Sequence, residues 1–363
     1  MNITIFGAGN GAHALAGDLA SRSFDVTLWE NPNFNQNIEH LRSSNNAINV
    51  IGEINGTFTL KSVTTDAAEA VKDAEIIFVI MPSFGQEAAF DYMAPHIKEG
   101  QLIFIMPGNF GSLSLYARLK KLGVADKVII GESDTIPYAT RLTADKTSDI
   151  FGIKSTMSAS AMPASKTSVM IQKLEHVLPL KLQPLPSVIA VALTNTNMII
   201  HCPTMIMNAG RIETGARFRF YNDGMSASVC HVMEKMDNER IEVAKALGYE
   251  LLTEFESAMS IYSLNHSKYK TLHDIFSSHP VYSKMGADSP TSIGHRYLTE
   301  DVPYLLSPLS ELGKTAGIPT PTVNAIIDLA GIVNMTDFRE NSRGLKTLGL
   351  SGLSMAGITN FVQ

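Results

Sequence analysis

Cysteine is nearly absent: the 363 residues contain two, Cys202 and Cys230. Two cysteines build no disulfide framework and no metal-binding spacing, so no metal is expected and a reducing cytoplasm is the simplest compartment. Charge is sparse, with 18% charged residues and a net charge of −6. No Lys/Arg block interrupts that acidic balance, which excludes a nucleic-acid-binding surface. No run of about 18 apolar residues escapes polar breaks, so no membrane span is expected. The first strand starts almost at Met1 and glycines interrupt it early, which argues against a signal peptide. Internal repeats and low-complexity linkers are also missing. What is present is a 45% hydrophobic chain long enough for two domains.

The chain opens on an apolar run, Ile3, Ile5 and Phe6, that stops at Gly7. Gly7-Ala-Gly9-Asn10-Gly11-Ala12 follows, and then a helix-forming stretch, Ala14 to Ala20. Strand, glycine turn and helix in that order fit a dinucleotide fingerprint with alanine at its third small position. Gly7 permits the turn, Gly9 lets backbone approach a pyrophosphate, and Ala12 lets the helix pack on the strand. A second strand, Val26 to Trp29, ends in Glu30, about 20 residues past the fingerprint, where a carboxylate would hold the adenosine ribose. Glu30 favours NAD over NADP, because a carboxylate repels a 2′-phosphate; nearby Arg42 keeps NADP open.

Strands and helices then alternate for about 185 residues, which predicts a parallel, doubly wound sheet. A small hairpin, Ile48–Ile51 with Gly56–Leu60, is inserted before the third main strand. Glu75–Ile80 and Gln101–Met106 read as strands buried on both faces. Ligands bind beyond the C-terminal ends of such strands. The candidates there are Gly7–Ala12, Glu30, Met81-Pro82-Ser83 and Pro107–Gly111 with Asn109. A fifth strand end is read at Glu132–Arg141, with Glu132 and Ser133. Asn109, Glu132 and Ser133 read equally as plain turn residues.

From Ser187 helical periods take over. The boundaries expected are 1–186 for a dinucleotide-binding Rossmann domain and 187–363 for an all-helical catalytic and substrate domain, with the site in the cleft between them. Val188 to Ala209 reads as one long apolar helix carrying Asn195, Asn197 and His201. Asn197 and His201, four apart, share a helix face. His201 is either a satisfied core histidine or one aimed at a substrate, where imidazole exchanges protons near neutral pH. Ser226 to Leu247 and Glu254 to Leu264 are further helices, with Met225, Met233 and Met236 as core filler. Asn265 to Ser292 reads as a long irregular stretch. Asp301 before Val302-Pro303 has the form of a helix N-cap, and Arg296 that of a surface ion-pair residue. The apolar faces of this half suit a homodimer.

These residues resemble the opine dehydrogenases, which include octopine, nopaline and N-(1-carboxyethyl)norvaline dehydrogenases. The resemblance covers nearly the whole chain in pieces: the glycine turn at 7–12, Pro107–Gly111, Asn197-x-x-x-His201, Arg296-Tyr-Leu-Thr-Glu-Asp301-Val-Pro, and Gly317-Ile-Pro-Thr-Pro321. It implies a Rossmann domain followed by a helical one. It implies reductive condensation of an amino acid with a 2-oxo acid, using NADH or NADPH, to a secondary amine dicarboxylate. His201 matches the family's acid/base, Asp301 its carboxylate partner, and Arg296 the grip on the oxo acid carboxylate. Asn197, Asn109, Glu132 and Ser133 fall where substrate is held. Two other readings keep part of this pattern. One is a ketopantoate- or glycerol-3-phosphate-type reductase that needs no amine. The other is a non-catalytic NAD sensor, which should lose its proton-transfer residues.

Overall fold

The computed structural model describes residues 1–261, 264–279 and 289–363. Residues 1–192 with 360–363 pack as one unit and residues 193–359 as another.

The first unit is built on an eight-stranded sheet. Its strands are β1 (Asn2–Phe6), β2 (Asp25–Trp29), β5 (Ser62–Thr64), β6 (Ile76–Val79), β7 (Leu102–Ile105), β8 (Ile129–Ser133), β11 (Thr156–Met162) and β12 (Lys181–Pro184). The order is β12-β11-β8-β7-β6-β1-β2-β5. From β5 to β8 this is the Rossmann arrangement, with strand order reversing between β1 and β6. The reason lies in residue type. β6 is Ile-Ile-Phe-Val and β7 is Leu-Ile-Phe-Ile, and every residue of both is buried. Strands covered by helices on both faces have no solvent side for a polar residue. One pairing departs from the parallel expectation: β11 runs antiparallel to β8. The chain end belongs to this unit too, where Ser165 N donates to Gln363 O at 3.0 Å and Phe361 meets Tyr116 edge-on.

A second sheet revises the sequence reading. The expected hairpin, β3 (Ala47–Gly52) with β4 (Gly56–Thr59), is joined by β9 (Tyr138–Leu142) and β10 (Ser148–Ile153) in the order β4-β3-β10-β9. The stretch 132–141 is therefore the end of β8 followed by β9, not one open strand end. This sheet packs on the fingerprint helix, Asn10–Ser21. Tyr138 Oη donates to Asp18 Oδ2 at 2.6 Å, and a Cβ on Gly17 would lie 2.4 Å from Val50 Cγ2. Glycine at 17 is thus the condition for seating helix on sheet.

Among the described residues of the second unit no strand follows β12. The expected helix 188–209 is broken into Val188–Thr194, Asn197–Met207 and Ala209–Glu213. At the break Asn195 Oδ1 accepts from Asn197 N at 3.1 Å, a local bond that competes with the helical ladder. Taken together, Val188–Met207 is long and apolar enough to cross a membrane, but 78% of it is buried inside the protein. The break and that burial make it core. Helix Ala227–Ala246 begins at the Ser226 cap and ends before Gly248 at φ +82°, and Met225, Met233 and Met236 are fully buried. The expected third helix spans Glu254–Ile261, with 262–263 outside the described residues. The stretch 265–292 is not wholly irregular, since Thr271 caps helix Leu272–Ser278; its residues 280–288 lie outside the described ones.

Candidate active site

The residues read from the sequence fall in two groups, one in each unit. In the first unit Gly7 has φ +116°, and a Cβ there would meet Ile80 O at 2.4 Å. Only glycine satisfies both conditions. A Cβ on Gly9 would meet nothing within 4 Å. Open space therefore faces the N-terminus of helix Asn10–Ser21, the cradle that a pyrophosphate needs. Gly11 and Ala12 are buried in the first turn, while the Asn10 side chain turns to the second sheet and accepts from Leu142 N at 3.0 Å. Glu30 is 7% exposed at the end of β2, where Asn31 N donates to Oε1 at 2.7 Å and Asn37 Nδ2 to Oε2 at 3.1 Å. Arg42 is occupied with Asn35 Oδ1 and Val63 O.

The ends of β6 and β7 are tied together. Asn109 Nδ2 donates to Ser83 Oγ at 2.8 Å, and Gln86 Nε2 to Pro107 O at 2.9 Å. Asn109 and Phe110 both adopt positive φ. Met81 and Pro82, half-buried, lead into helix Ser83–Met93. Glu132 lies inside β8 and is fully buried. It accepts from Phe110 N at 3.1 Å and from Ser112 N and Oγ at 2.8 and 2.6 Å. A carboxylate at the start of helix Gly111–Lys121 is well placed by the helix dipole. Its side chain also fills the space where a Gly108 Cβ would go, 2.3 Å away. Ser133 Oγ donates to Thr135 O at 2.7 Å. Asp134, the other acidic residue of this stretch, accepts from Ser158 N, and burial raises its pKa. These three side chains brace the turn.

In the second unit, His201 sits on helix Asn197–Met207 and is 7% exposed. Its Nδ1 is 2.8 Å from Asp301 Oδ2, a carboxylate 100 residues on and 6% exposed. Asp301 does precede a short π-helix, Val302–Leu306, but its side chain makes no cap bond there. A carboxylate accepts, so Nδ1 carries the proton and Nε2 of the neutral ring is the basic nitrogen. Tyr297 lies flat on the imidazole, with ring centroids 3.8 Å apart and planes 17° from parallel. Tyr221 Oη is 3.3 Å from Nε2. Cys202 is buried next to Asp301, and burial pushes its thiol well above the usual range.

Arg296 opens helix Arg296–Thr299, whose N-cap is His295. It is an exposed ion-pair residue, as its type suggests: Nη2 is 2.7 Å from Glu300 Oε2, with Arg296 54% and Glu300 1% exposed. Burial and the nearby charges of Arg296 and His201 hold the His295 pKa down. Asn197 is exposed in the first turn of its helix, while His201 is buried one turn on. Sequence reasoning missed the aromatic surround, Phe220, Tyr221 and Tyr297. Tyr297 stands next to Arg296 in the same motif; Tyr221 lies in a turn with no periodic signal. Among the described residues no three His, Cys, Asp or Glu side chains converge as a metal site.

Comparison with known proteins places this geometry. Residues 184–334 match the NAD/NADP octopine/nopaline dehydrogenase alpha-helical domain, and residues 2–108 match the NAD-dependent glycerol-3-phosphate dehydrogenase N-terminus. An opine dehydrogenase of Arthrobacter sp. (strain 1C) is 32% identical over 99% of this chain and 98% of its own. Octopine dehydrogenase with NADH and L-arginine has TM-score 0.82 at 19% identity, covering 99% of this chain and 98% of its own. Yersinopine dehydrogenase with NADP+ bound has TM-score 0.73 at 13% identity, covering 100% and 97%. With that identity across nearly all of its length, the chain belongs to the opine dehydrogenases, NAD(P)-dependent oxidoreductases acting on CH–NH donors.

Proposed function

We propose that this protein joins the amine of an amino acid to a pyruvate-like 2-oxo acid and reduces the resulting imine to a secondary amine dicarboxylate. The observation that carries the reading is the His201–Asp301 pair, a buried imidazole with its tautomer held by a carboxylate. Residues 1–186 take the coenzyme role and 187–363 the substrate role. NADH or NADPH supplies the hydride. Gly7, Gly9, Asn10, Gly11 and Ala12 hold the coenzyme's phosphates, with Met81, Pro82 and Ser83 at the neighbouring strand end. Glu30, buried where a ribose would lie, supports NAD as the preferred coenzyme. His201 Nε2 takes, one after the other, the two protons that leave the amine nitrogen and passes each to the carbonyl oxygen, which departs as water. Asp301 accepts from Nδ1–H and so holds the ring in the orientation that presents Nε2. Arg296 holds the oxo acid carboxylate, since a guanidinium forms paired bonds to that planar group. Asn197 completes the substrate positions of the second unit, and Asn109, Glu132 and Ser133 those of the first. Two free, buried thiols suit a cytoplasmic location. Exposed Leu329, Ile332, Val333 and Met335 suit a homodimer.

The test is coenzyme oxidation with pyruvate, with and without a pool of amino acids, using NADH and then NADPH. Oxidation that needs both substrates, together with near-complete loss of turnover in His201→Ala at intact NADH binding, is the expected result. Oxidation by the oxo acid alone would instead favour the hydroxy-acid reductase. Full turnover in His201→Ala would remove the histidine from the reaction.

A further inference from the structure

His201 Nε2, the nitrogen left for the substrate once Nδ1 is committed to Asp301, already has a neighbour. Tyr221 Oη lies 3.3 Å from it. Because Nε2 of the neutral ring has only a lone pair, the phenol is the donor in that bond. Tyr221 Oη is in turn 3.5 Å from Tyr297 Oη. One hydroxyl thus stands at the basic nitrogen of the imidazole, with a second beside it.

The local structure holds this tyrosine in place. It belongs to the turn Arg219–Gly224, closed by Asp223 N and Gly224 N donating to Arg219 O at 2.8 and 3.1 Å. The Arg219–Asp223 ion pair spans the same turn at 2.7 Å. Buried Asn222 donates to Phe276 O at 2.7 Å, and buried Asn208 to Gly224 O at 2.9 Å. A Cβ at Gly224 would meet Phe220 O at 2.5 Å. Phe220 stands edge-on to Tyr221, with centroids 5.3 Å apart, and is itself fully buried. Tyr221 alone in this turn is half-buried with its hydroxyl turned to His201. A residue needed only to fill space would not require that hydroxyl.

We propose that Tyr221 is a second proton-transfer group, its hydroxyl bridging the reacting nitrogen and His201 Nε2. The inference rests on His201 being the acid/base of the reductive condensation. As the amine attacks the oxo acid carbonyl, its N–H bond breaks toward Tyr221 Oη. The Oη–H bond breaks in the same step, and an Nε2–H bond forms. The tyrosine ends neutral, the amine has lost one proton, and the imidazolium is held against Asp301. The relay then runs in reverse: Nε2–H returns its proton to Oη and the Oη proton goes to the former carbonyl oxygen, which gives the neutral carbinolamine. A second passage takes the remaining N–H proton through Oη to Nε2 and back to the carbinol hydroxyl, which leaves as water as the C=N bond forms.

The experiment compares Tyr221→Phe with His201→Ala and the parent, using pyruvate, the amino acid pool and NADH. The phenylalanine keeps the ring and its packing on Phe220, and thermal melting checks that it folds. The relay predicts a fall in kcat on the order of 10- to 100-fold in Tyr221→Phe, with NADH affinity and the oxo acid KM within about twofold. It also predicts an altered solvent deuterium isotope effect on kcat. A phenol that merely covers Nε2 until substrate displaces it would give equal or higher kcat in Tyr221→Phe, and that result overturns the proposal. A rise in KM with kcat and the isotope effect unchanged, the mark of a packing role, overturns it as well. The two readings fail separately. Turnover surviving in His201→Ala removes the acid/base assignment, whereas an inactive His201→Ala beside a fully active Tyr221→Phe removes only the tyrosine.

Discussion

Acid should weaken the first unit through one buried histidine. His13 is the fourth residue of the fingerprint helix and is fully buried. Its Nδ1 is 3.2 Å from Gly9 O, and its Nε2 is 3.3 Å from His40 Nε2. A carbonyl only accepts, so Nδ1 carries the proton, Nε2 is bare, and His40 Nε2–H is the donor. His40 Nδ1, buried with no hydrogen-bond partner among the described residues, fits that assignment. Protonating His13 would set N–H against N–H in a desolvated place near Lys146. Burial, with the charges of His40 and Lys146, accordingly lowers its pKa from 6.5 to about 4. Between those values the unfolded chain binds the proton and the folded one does not. Stability is therefore full above the unfolded pKa and falls as pH drops. Lowering the pH from about 7 to about 5 should cost about 2 kcal/mol through this group. Trp29, the single tryptophan, is buried in β2 of the same unit, so its fluorescence in urea reports that unit. His13→Gln keeps a polar side chain without the titration. The loss of stability on acidification should be about 2 kcal/mol smaller in the variant, whatever its stability at neutral pH. Equal losses in the two proteins would show that His13 is not the group that titrates.

Arg296→Ala should raise the oxo acid KM on the order of 10-fold or more with a smaller drop in kcat, because the oxo acid loses its carboxylate grip while the coenzyme-binding residues are untouched; steady-state kinetics with pyruvate varied reads it, and an unchanged KM takes Arg296 out of the site. Glu254 titrates with the opposite sign to His13. It is buried beside Asp237, and burial is the main cause that raises its pKa from 4.5 to about 7. The folded chain holds that proton between these values while the unfolded chain releases it. Its stabilising contribution, present below about pH 4.5, should decline by about 3 kcal/mol as pH rises through 7. Glu254→Gln should flatten that decline in urea melts followed by far-ultraviolet circular dichroism, and a variant as pH-dependent as the parent would contradict the assignment.

The main sheet was legible because burial on both faces forbids polar residues, so β6 and β7 stand out as unbroken apolar runs. The second sheet was not. β9 (Tyr-Ala-Thr-Arg-Leu) and β10 (Ser-Asp-Ile-Phe-Gly-Ile) mix polar and apolar residues with neither an unbroken apolar run nor a period of two, and Phe151 is 58% exposed. β10 pairs with β3 across about 100 residues of sequence (Val50 opposite Ser148), a pairing no local pattern encodes. The break at Asn195 was hidden for a related reason. Apolar periodicity runs through it, and one side-chain bond to a backbone N–H decides against continuation. By position alone Asp301 has the form of a cap; the resemblance named it as the partner of His201, and the structure turns its carboxylate to Nδ1 at 2.8 Å. Glu132 was read as either a substrate ligand or a turn residue; burial with three hydrogen bonds to the start of a helix is the arrangement of a brace.

The break beneath His201 is held by buried charges. Arg240, fully buried, donates to Asp237 Oδ1 at 2.8 Å, to Leu193 O at 2.8 Å and to Leu252 O at 2.7 Å. Asp237 Oδ2 accepts from Glu254 N at 2.6 Å, and the Glu254 carboxyl shares a hydrogen bond with the side chain of Thr196. Leu193 lies in the last turn of the first helical piece, Val188–Thr194, and Thr196 stands at the N-cap position of the second, so one guanidinium and two carboxyl groups grip both sides of the interruption. An uninterrupted apolar helix would need none of them. Removing one partner of such a buried pair typically costs about 3–5 kcal/mol, because the other charge is left uncompensated. The arrangement is consequently a poor source of net stability and a strict source of geometry. It leaves few alternative positions for the helix that presents His201, and an imidazole must hold its place within about 0.5 Å to keep both Asp301 Oδ2 and Tyr221 Oη in hydrogen-bond reach.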